Sequence, residues 1–194
     1  LPESAVGADP DGTWATSRRA ALARLDHFVR KVLPGFGPHE DAMTLRSWHL
    51  AHSLLSPYLN LGLLLPGEVC EAVESAWREG HVPLNSAEGC IRQIAGWREY
   101  MWGLYWHWPE LEQVNALDHR RELPPAFAGE AGTRMRCLAD ALGGLHERGW
   151  VHHIQRLMIL SNFANLYGIH PEKVRTWMRE RYVDGADWVM VPNV

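Results

Sequence analysis

Residues 149–169 read GWVHHIQRLMILSNFANLYGI and carry the pattern that most constrains the fold of this 194-residue chain. The stretch is mainly apolar and contains no proline, and it predicts a helix from Val151 to Tyr167. On that helix His152 and His153 lie about 100° apart, and Arg156 shares a face with both. We therefore expect two imidazoles and a guanidinium to converge.

A cluster of this kind repels itself when it is protonated, so it requires an anion, a polarised carbonyl or a carboxylate nearby. Asp184 and Asp187 are the candidate carboxylates. The alternative that the spacing leaves open is a structural salt bridge flanked by two surface histidines. A metal site is disfavoured, because adjacent histidines on a helix cannot both face one ion and no HExxH spacing is present.

Helical periodicity continues on both sides of this stretch. It predicts further helices over residues 16–33, 43–55, 66–79, 91–106, 135–146 and 171–181, with a polar cap at residues 85–88 and a turn or new helix start at Ser56-Pro57. Alternation with a period of two is absent, so the expected class is all-α. Residues 1–15, rich in Pro, Gly and Asp, are expected to form a linker or arm ahead of one helical domain over residues 16–194.

Composition limits the class of protein. Hydrophobic residues make up 46% and charged residues 22%, which is typical of a soluble globular protein. The formal net charge of −4 gives no global sign of nucleic-acid binding, so any contact with DNA must be local. The chain has no apolar run long enough to span a bilayer and does not open with a signal peptide, so we expect a cytoplasmic protein without a membrane partner.

Cysteine and tryptophan are the informative side chains in the composition. The three cysteines, Cys70, Cys90 and Cys137, are odd in number and lack CxxC spacing, which favours reduced thiols over disulfides or a closed zinc site. The ten tryptophans offer surfaces for stacking and relays for electrons, although core packing explains most indoles in proteins.

Two further segments have the composition of binding sites. HSLLSPYLNLGLL, residues 52–64, brings hydroxyls and N–H groups to a proline-marked helix boundary, where phosphate can bind and where ordinary capping is the alternative. IRQIAGWREY, residues 91–100, joins Trp97 to Arg98. The indole can stack on a planar ring or pack in the core, and the guanidinium can pair with a phosphate or carboxylate.

Taken in this order and with these gaps, the three segments resemble the C-terminal flavin domain of photolyases and cryptochromes. The paired histidines and the segment RMRCLADAL, residues 134–142, are similar to the bacterial iron–sulfur, (6-4) photolyase-like branch. The resemblance starts at about residue 16. It implies a multi-helical FAD-binding domain that is incomplete at its C-terminal end and lacks the N-terminal α/β antenna domain.

The resemblance also implies a role for individual residues. Those expected to contact FAD are His52, Ser53, Leu54, Leu55, Ser56, Gln93, Trp97, Arg98, His153, Arg156, Asp184 and Asn193. Within this set Ser53 and Ser56 would hold the diphosphate, and Arg156 with Asp184 would form an ion pair beside the isoalloxazine ring. His152 and His153 would be catalytic, passing a proton to the lesion.

Electron transfer and an iron–sulfur cluster are implied by the same match. Trp177 would feed electrons to the flavin, and Cys137 would be one ligand of a 4Fe–4S cluster whose other ligands lie outside this chain. The sequence departs from the family pattern in one short stretch and at two single residues. Residues 127–130 lack the usual relay tryptophan, Met178 replaces a common aromatic, and Met190 stands where a polar residue faces the flavin, with Asn193 the nearest polar substitute.

The activity that the resemblance implies is light-driven, FAD-dependent repair of UV-damaged DNA, with (6-4) photoproducts as the expected lesion. Two alternatives remain open at this stage: a flavin photosensor that does not repair, and an inactive remnant of a flavin domain. The expected partner is UV-damaged DNA, and the sequence indicates no protein partner.

Overall fold

The computed structural model describes residues 12–194, so most of the expected N-terminal arm lies outside the described residues. The described chain forms two compact units, one over residues 12–100 and one over Met101–Val194. Within this range the secondary structure is helical without strands, and a single isolated bridge pairs Arg121 with Ile169. The all-α prediction is confirmed.

The first unit contains five α-helices, and a long segment without regular structure, residues 40–55, separates the second from the third. They are α1 (Arg18–His27), α2 (Phe36–His39), α3 (Ser56–Asn60), α4 (Pro66–Arg78) and α5 (Leu84–Ile91). A π-helical segment, Phe28–Val32, and a 3-10 turn, Leu33–Gly35, continue α1, and a second π-helical segment, Arg92–Arg98, continues α5. The helix predicted to open at Pro66 corresponds to α4, which begins there and ends at Arg78, one residue before the predicted end.

Local sequence explains why α4 forms. Pro66 occupies the first turn, where its missing N–H costs nothing, Glu68 lies near the positive N-terminal end, and Arg78 lies near the negative C-terminal end. Val69 and Val73, one helical turn apart, are completely buried. Fully burying each such side chain contributes about 1.5–3 kcal/mol to folding, so α4 is held mainly by its apolar face.

The second unit contains the remaining helices. They are α6 (Glu99–His107), which starts two residues before the unit boundary, α7 (Pro125–Ala128), α8 (Arg136–Arg148), α9 (Asn162–Tyr167), α10 (Pro171–Arg181) and α11 (Asp187–Asn193). A 3-10 turn, Pro109–Gln113, follows α6, and a π-helical segment, Gln155–Ser161, leads into α9. The bounds predicted for α10 are confirmed to the residue.

An aromatic group lies at the centre of the second unit. Phe127 is fully buried, and its ring centroid lies 4.8 Å from that of Trp177 and 5.6 Å from that of Phe163. The Trp177 indole N–H donates to the Phe127 carbonyl oxygen at 2.8 Å. This bond satisfies the polar atom of a buried indole, and it fixes α10 against α7.

The helix predicted over residues 43–55 is wrong. The chain there makes turns, with Leu50 and Leu54 at φ of 47° and 57°. Side chains bind the local backbone instead: the Ser47 hydroxyl accepts from the Leu50 N–H, and the Ser53 hydroxyl accepts from the Leu55 N–H. Such bonds compete with the helical ladder, so hydroxyl-rich segments favour turns.

Two predicted helix starts are also wrong. Residues 85–88 do not cap a helix, because α5 already begins at Leu84, and the buried Ser86 hydroxyl instead accepts from the Gly37 N–H at 2.9 Å. The helix expected to start at Val151 starts at His153, two residues later.

None of the helices between residues 12 and 194 combines the length and apolar character that crossing a membrane requires.

Candidate functional site

A buried ion pair lies at the centre of the segment that the sequence singles out. The Arg156 guanidinium donates two hydrogen bonds to the Asp184 carboxylate, of 2.9 and 3.0 Å, one from each terminal nitrogen. Its Nε–H donates to the Val151 carbonyl oxygen at 2.8 Å. The Arg156 side chain is 19% exposed and that of Asp184 is 4% exposed, so the pair is shielded from bulk water. Bidentate geometry of this kind fixes the guanidinium plane.

Aromatic rings complete the environment of the guanidinium. The Arg156 Cζ atom lies 4.2 Å from the Tyr182 ring centroid and 5.7 Å from that of Trp150. Both rings belong to buried residues. Burial raises the pKa of the Tyr182 phenol well above its usual range, so this side chain stays neutral, although the Arg156 cation acts in the opposite direction. A neutral ring face attracts the cation without competing for Asp184.

The two histidines lie in different environments. His152 precedes the helix and is 2% exposed, whereas His153 is the first helical residue and is exposed. The Arg156 backbone N–H donates to the His152 carbonyl oxygen at 3.1 Å, which ties the buried histidine to the first turn. The structure therefore brings Arg156 and Asp184 together as expected, but it gives the adjacent imidazoles opposite exposure.

The loop that carries Asp184 is tied to the turn before the histidines. Gly149 ends α8 with φ of 64°, and its carbonyl oxygen accepts from the Val183 N–H at 2.8 Å. A Cβ at Gly149 would come within 2.7 Å of the Val183 side chain. Only glycine combines this left-handed conformation with so close an approach.

In the first unit the segment His52–Ser56 runs without regular structure into α3. His52, Ser53, Leu54 and Ser56 are half-buried, and Leu55 is buried. Nδ1 of His52 lies 2.9 Å from the His49 carbonyl oxygen. A leucine at positive φ, as Leu54 is, costs conformational energy, and such strain is concentrated at functional sites.

The other predicted residues of the first unit lie on the π-helical segment Arg92–Arg98. Arg98 donates to the Asn60 side-chain oxygen at 2.9 Å and to the Leu59 carbonyl oxygen at 3.3 Å, which links this segment to the end of α3. Burial lowers the pKa of Arg98 below its usual value, although the nearby Glu99 carboxylate opposes the shift. These hydrogen bonds fix the position of Arg98, and Trp97 beside it in the chain is half-buried.

The remaining predicted site residues include Gln93, Asn193 and Cys137, which lie in three different surroundings. Gln93 is exposed and donates to the Glu40 carboxylate at 2.6 Å. Asn193, at the end of α11, donates from its amide to the Val189 carbonyl oxygen and to the Met101 sulfur. Cys137 is an exposed free thiol near the start of α8. In the described part of the chain, His, Cys, Asp and Glu side chains form no group of three that could hold a metal.

Two contributors were missed by reasoning from the sequence. Tyr182 provides the ring under the Arg156 guanidinium, and Asn60 positions Arg98. Tyr182 directly follows the helix predicted over residues 171–181, and Asn60 lies within the segment 52–64, so proximity in sequence was the available signal. Neither contact has a periodic signature in the sequence, because Tyr182 is 26 positions from Arg156 and Asn60 is 38 positions from Arg98.

Comparisons with known proteins bear on the family of the chain. No protein-family model matches the chain. A "(6-4) photolyase" of Agrobacterium fabrum is 46% identical over 182 residues, covering 93% of this chain and 36% of the relative. A "deoxyribodipyrimidine photo-lyase" of the same organism is 28% identical over 191 residues, covering 92% of this chain and 38% of the relative. The chain thus spans little more than a third of these curated relatives.

A solved structure supports the fold. The crystal structure of a bacterial class III photolyase from Agrobacterium tumefaciens matches with a TM-score of 0.72 and 23% identity, covering 97% of this chain and 40% of that one. At this identity the likeness bears on the fold alone. The two curated relatives, by their similarity over more than nine tenths of this chain, show that it belongs to the photolyase/cryptochrome superfamily.

Proposed function

We propose that this chain forms part of the FAD-binding region of a light-driven enzyme that repairs (6-4) photoproducts in UV-damaged DNA. The observation that carries the proposal is the buried Arg156–Asp184 pair next to His152 and His153. It occurs in a chain that is 46% identical to a protein named a (6-4) photolyase.

The ion pair suits the flat, polar edge of a flavin ring. A guanidinium has five N–H groups, and three of those of Arg156 bind Asp184 and Val151. One N–H on each terminal nitrogen is left to donate to a carbonyl oxygen or ring nitrogen. Because Asp184 and the Tyr182 ring fix the guanidinium plane, these donors are oriented before a ligand arrives.

In the first unit, the segment His52–Ser56 suits a diphosphate. It combines the hydroxyls of Ser53 and Ser56 with main chain held outside regular structure, and such groups donate to phosphate oxygens. Arg98 would add positive charge, and Trp97 a flat surface for a ring. Gln93 and Asn193 are the remaining polar side chains that we assign to the cofactor.

The chemistry that FAD supplies when bound is one-electron donation after light absorption. His153 is exposed and is the residue that we propose to pass a proton to the lesion, whereas the buried His152 orients the turn that carries it. Trp177 would transfer electrons toward the ring. Its indole contacts Phe127, and phenylalanine is a poor relay, so we expect slow photoreduction.

Cys137 is proposed as one ligand of a 4Fe–4S cluster in the full-length protein. Cys137 is a free cysteine at an exposed position of this chain. A cluster of this type takes four thiolates, so Cys137 alone cannot hold it. The proposal for this chain is therefore limited to FAD.

The test begins with FAD binding to the purified chain. Flavin absorption that remains with the protein through gel filtration, and that is lost in an Arg156→Ala variant, is the expected result. Lys31→Ala, on the π-helical segment that continues α1, serves as the control for loss of an exposed cation. Protein that stays colourless after incubation with FAD would contradict flavin binding by this chain.

Repair is then assayed in the full-length protein with an oligonucleotide that contains one (6-4) photoproduct. We expect light-dependent loss of the lesion, measured by chromatography of the digested DNA. Retained flavin without repair of this lesion would contradict the assigned activity and favour a photosensor.

A further inference from the structure

A series of aromatic rings lies along one side of the second unit. The Trp188 ring on α11 lies 5.7 Å from that of Trp102 on α6, centroid to centroid, and the Trp102 ring lies 5.5 Å from that of Trp106. Tyr105 lies beside this last indole, with 5.3 Å between the two ring centroids. Each neighbouring pair meets edge to face, at angles between 73° and 81°, so the rings are in direct contact.

The sequence places two of these indoles on one face of α6. Trp102 and Trp106 are four residues apart, and side chains at this spacing lie one above the other on a helix. α11 packs Trp188 against them, and close to this contact the Asn193 amide donates to the Met101 sulfur at 3.3 Å. Because Met101 directly precedes Trp102, the ring series begins where α11 meets α6.

Exposure to water increases along the series. Trp188 is half-buried, Trp102 is 45% exposed and Trp106 is 62% exposed. Water stabilises the positive charge of an oxidised indole and accepts its N–H proton, so such a charge is most stable at Trp106. The series therefore has a direction, from the contact between α11 and α6 toward the surface.

The chemistry of the rings suits electron transfer. Indole and phenol rings lose an electron far more easily than a phenyl ring does, because the lone pair of their nitrogen or oxygen stabilises the product. Trp188, Trp102, Trp106 and Tyr105 all belong to this oxidisable class. Electron exchange falls steeply with distance, so rings in direct contact exchange electrons fastest. A positive charge on Trp188 can therefore move outward from ring to ring.

Trp177 lacks neighbours of this kind. Its indole contacts Phe127, which does not readily accept a positive charge. Its phenol neighbour, Tyr182, lies 6.2 Å away and is buried beside the Arg156 cation, which opposes a second positive charge. A route through Trp177 should consequently be slow, and the series along α6 is the faster path to water.

We propose that Trp188, Trp102 and Trp106 form a second electron relay, through which an electron enters from the surface and reduces the flavin. This inference rests on the function proposed above. α11 carries Trp188 together with Asn193, which we assign to the cofactor, so the inner end of the relay lies on a helix of the proposed flavin site.

Each step of the relay moves one electron. Trp188 gives an electron to the photoexcited, oxidised flavin, Trp102 restores Trp188, and Trp106 restores Trp102. The indole N–H of Trp106 then releases its proton to water, which holds the oxidised site at the surface. A thiol in solution supplies the hydrogen atom that returns Trp106 to its starting state, so the thiol is the species finally oxidised.

The experiment measures photoreduction of the full-length protein loaded with FAD, with a thiol as electron donor and without DNA. Retained flavin is measured first, by absorption after gel filtration, and the rate of flavin bleaching under blue light is measured next. Trp102→Phe and Trp102→Tyr are compared, because these side chains differ by one hydroxyl and only tyrosine can carry the charge. Trp108→Phe is the matched control, since this indole is 48% exposed and makes no ring contact among residues 12–194.

We expect Trp102→Phe to slow photoreduction by at least about tenfold, Trp102→Tyr by about threefold or less, and Trp108→Phe not at all. A light flash should also produce the absorption of a neutral indole radical. Trp106→Phe should shorten the lifetime of that radical, because the most exposed ring of the relay is then missing.

Equal photoreduction rates in the unaltered protein and in flavin-loaded Trp102→Phe would overturn the relay and leave the proposed flavin site intact. Equal slowing by Trp102→Phe and Trp102→Tyr would also overturn it, since the ring would then act only by packing. If both Trp102 variants lose flavin, Trp106→Phe decides, and an unchanged radical lifetime in that variant rules the relay out. Loss of flavin from the unaltered protein as well would instead contradict the proposed function, on which the relay depends.

Discussion

Arg156 and Asp184, which are 28 residues apart in the chain, meet through two hydrogen bonds of 2.9 and 3.0 Å in a setting almost closed to water. Asp184 follows α10, and Arg156 lies in the π-helical segment Gln155–Ser161. The pair therefore joins two elements that local sequence alone does not connect. Asp184 also fixes the position of the Arg156 guanidinium, which we propose binds the edge of the flavin ring.

Replacing Asp184 by Asn should destabilise the second unit. The change keeps the shape of the side chain but leaves the shielded Arg156 cation without its counter-charge, which we expect to lower the free energy of unfolding by about 3 kcal/mol. Urea denaturation followed by circular dichroism measures the loss.

The control for this change is an exposed pair in the same unit. Asp118 and Arg120 are joined at 2.6 Å, and their side chains are 72% and 79% exposed. Because water screens such pairs, Asp118→Asn should change stability by less than about 1 kcal/mol. Equal effects of the two substitutions would show that burial of the Arg156–Asp184 pair does not strengthen it.

Gly149 should tolerate no side chain. Its φ of 64° and the distance of 2.7 Å from a Cβ to the Val183 side chain predict that Gly149→Ala costs about 2 kcal/mol or more. Gly143→Ala is the matched control, because a Cβ at this exposed position of α8 meets nothing within 4 Å. That change should stabilise the helix by about 0.5–1 kcal/mol. Thermal denaturation of both variants checks the opposite signs.

Exposure separates the roles of the two histidines. In the full-length protein, His153→Ala should reduce repair by at least about a hundredfold while FAD stays bound, because it removes the proposed proton donor. His153 is exposed, so its loss should change stability by no more than about 0.5 kcal/mol. Repair is measured by chromatography of the digested DNA, and bound flavin is measured by its absorption.

His152→Ala provides the comparison. Its side chain is 2% exposed, so we expect lower stability, by about 2 kcal/mol, together with any loss of repair. Undiminished repair in His153→Ala would contradict the assignment of His153 as the proton donor.

The three thiols should react at different rates. Burial, with smaller effects of Cys70 and Glu40, raises the pKa of Cys90 from 9.0 to about 12, and burial also raises the pKa of Cys70. Since the thiolate is the nucleophile, a thiol reagent at about pH 8 should label the exposed Cys137 first, Cys70 more slowly, and Cys90 only on unfolding.

The same shift gives a direction for stability at high pH. The folded state holds the Cys90 proton more tightly than the unfolded state, so this contribution is complete below pH 9.0 and is lost as the pH rises toward about 12. Cys90→Ala should lessen the decrease in stability across that range. Rapid labelling of Cys90 in the folded chain would contradict the predicted order, and Cys137→Ser should remove the fast phase.

The sequence by itself determined the helical class and nearly all the bounds of α4 and α10. α4 and α10 each begin with a proline, carry an acidic residue in the first turn and end with arginine, so local chemistry defines both ends. The order of the segments around Ser53, Trp97 and His153 was sufficient to indicate the superfamily. These features depend on neighbours within a few residues, which is the range that a sequence pattern records.

Tertiary structure decided the rest. The buried Ser86 binds the backbone of Gly37 instead of capping a helix, and its partner is 49 residues away. Adjacent histidines differ in exposure because the helix starts after His152 rather than before it. Arg175 looks like any surface arginine in the sequence, yet packing leaves the residue only 8% exposed. Burial and pairing at these positions depend on residues distant in the chain, and so only the folded structure defines them.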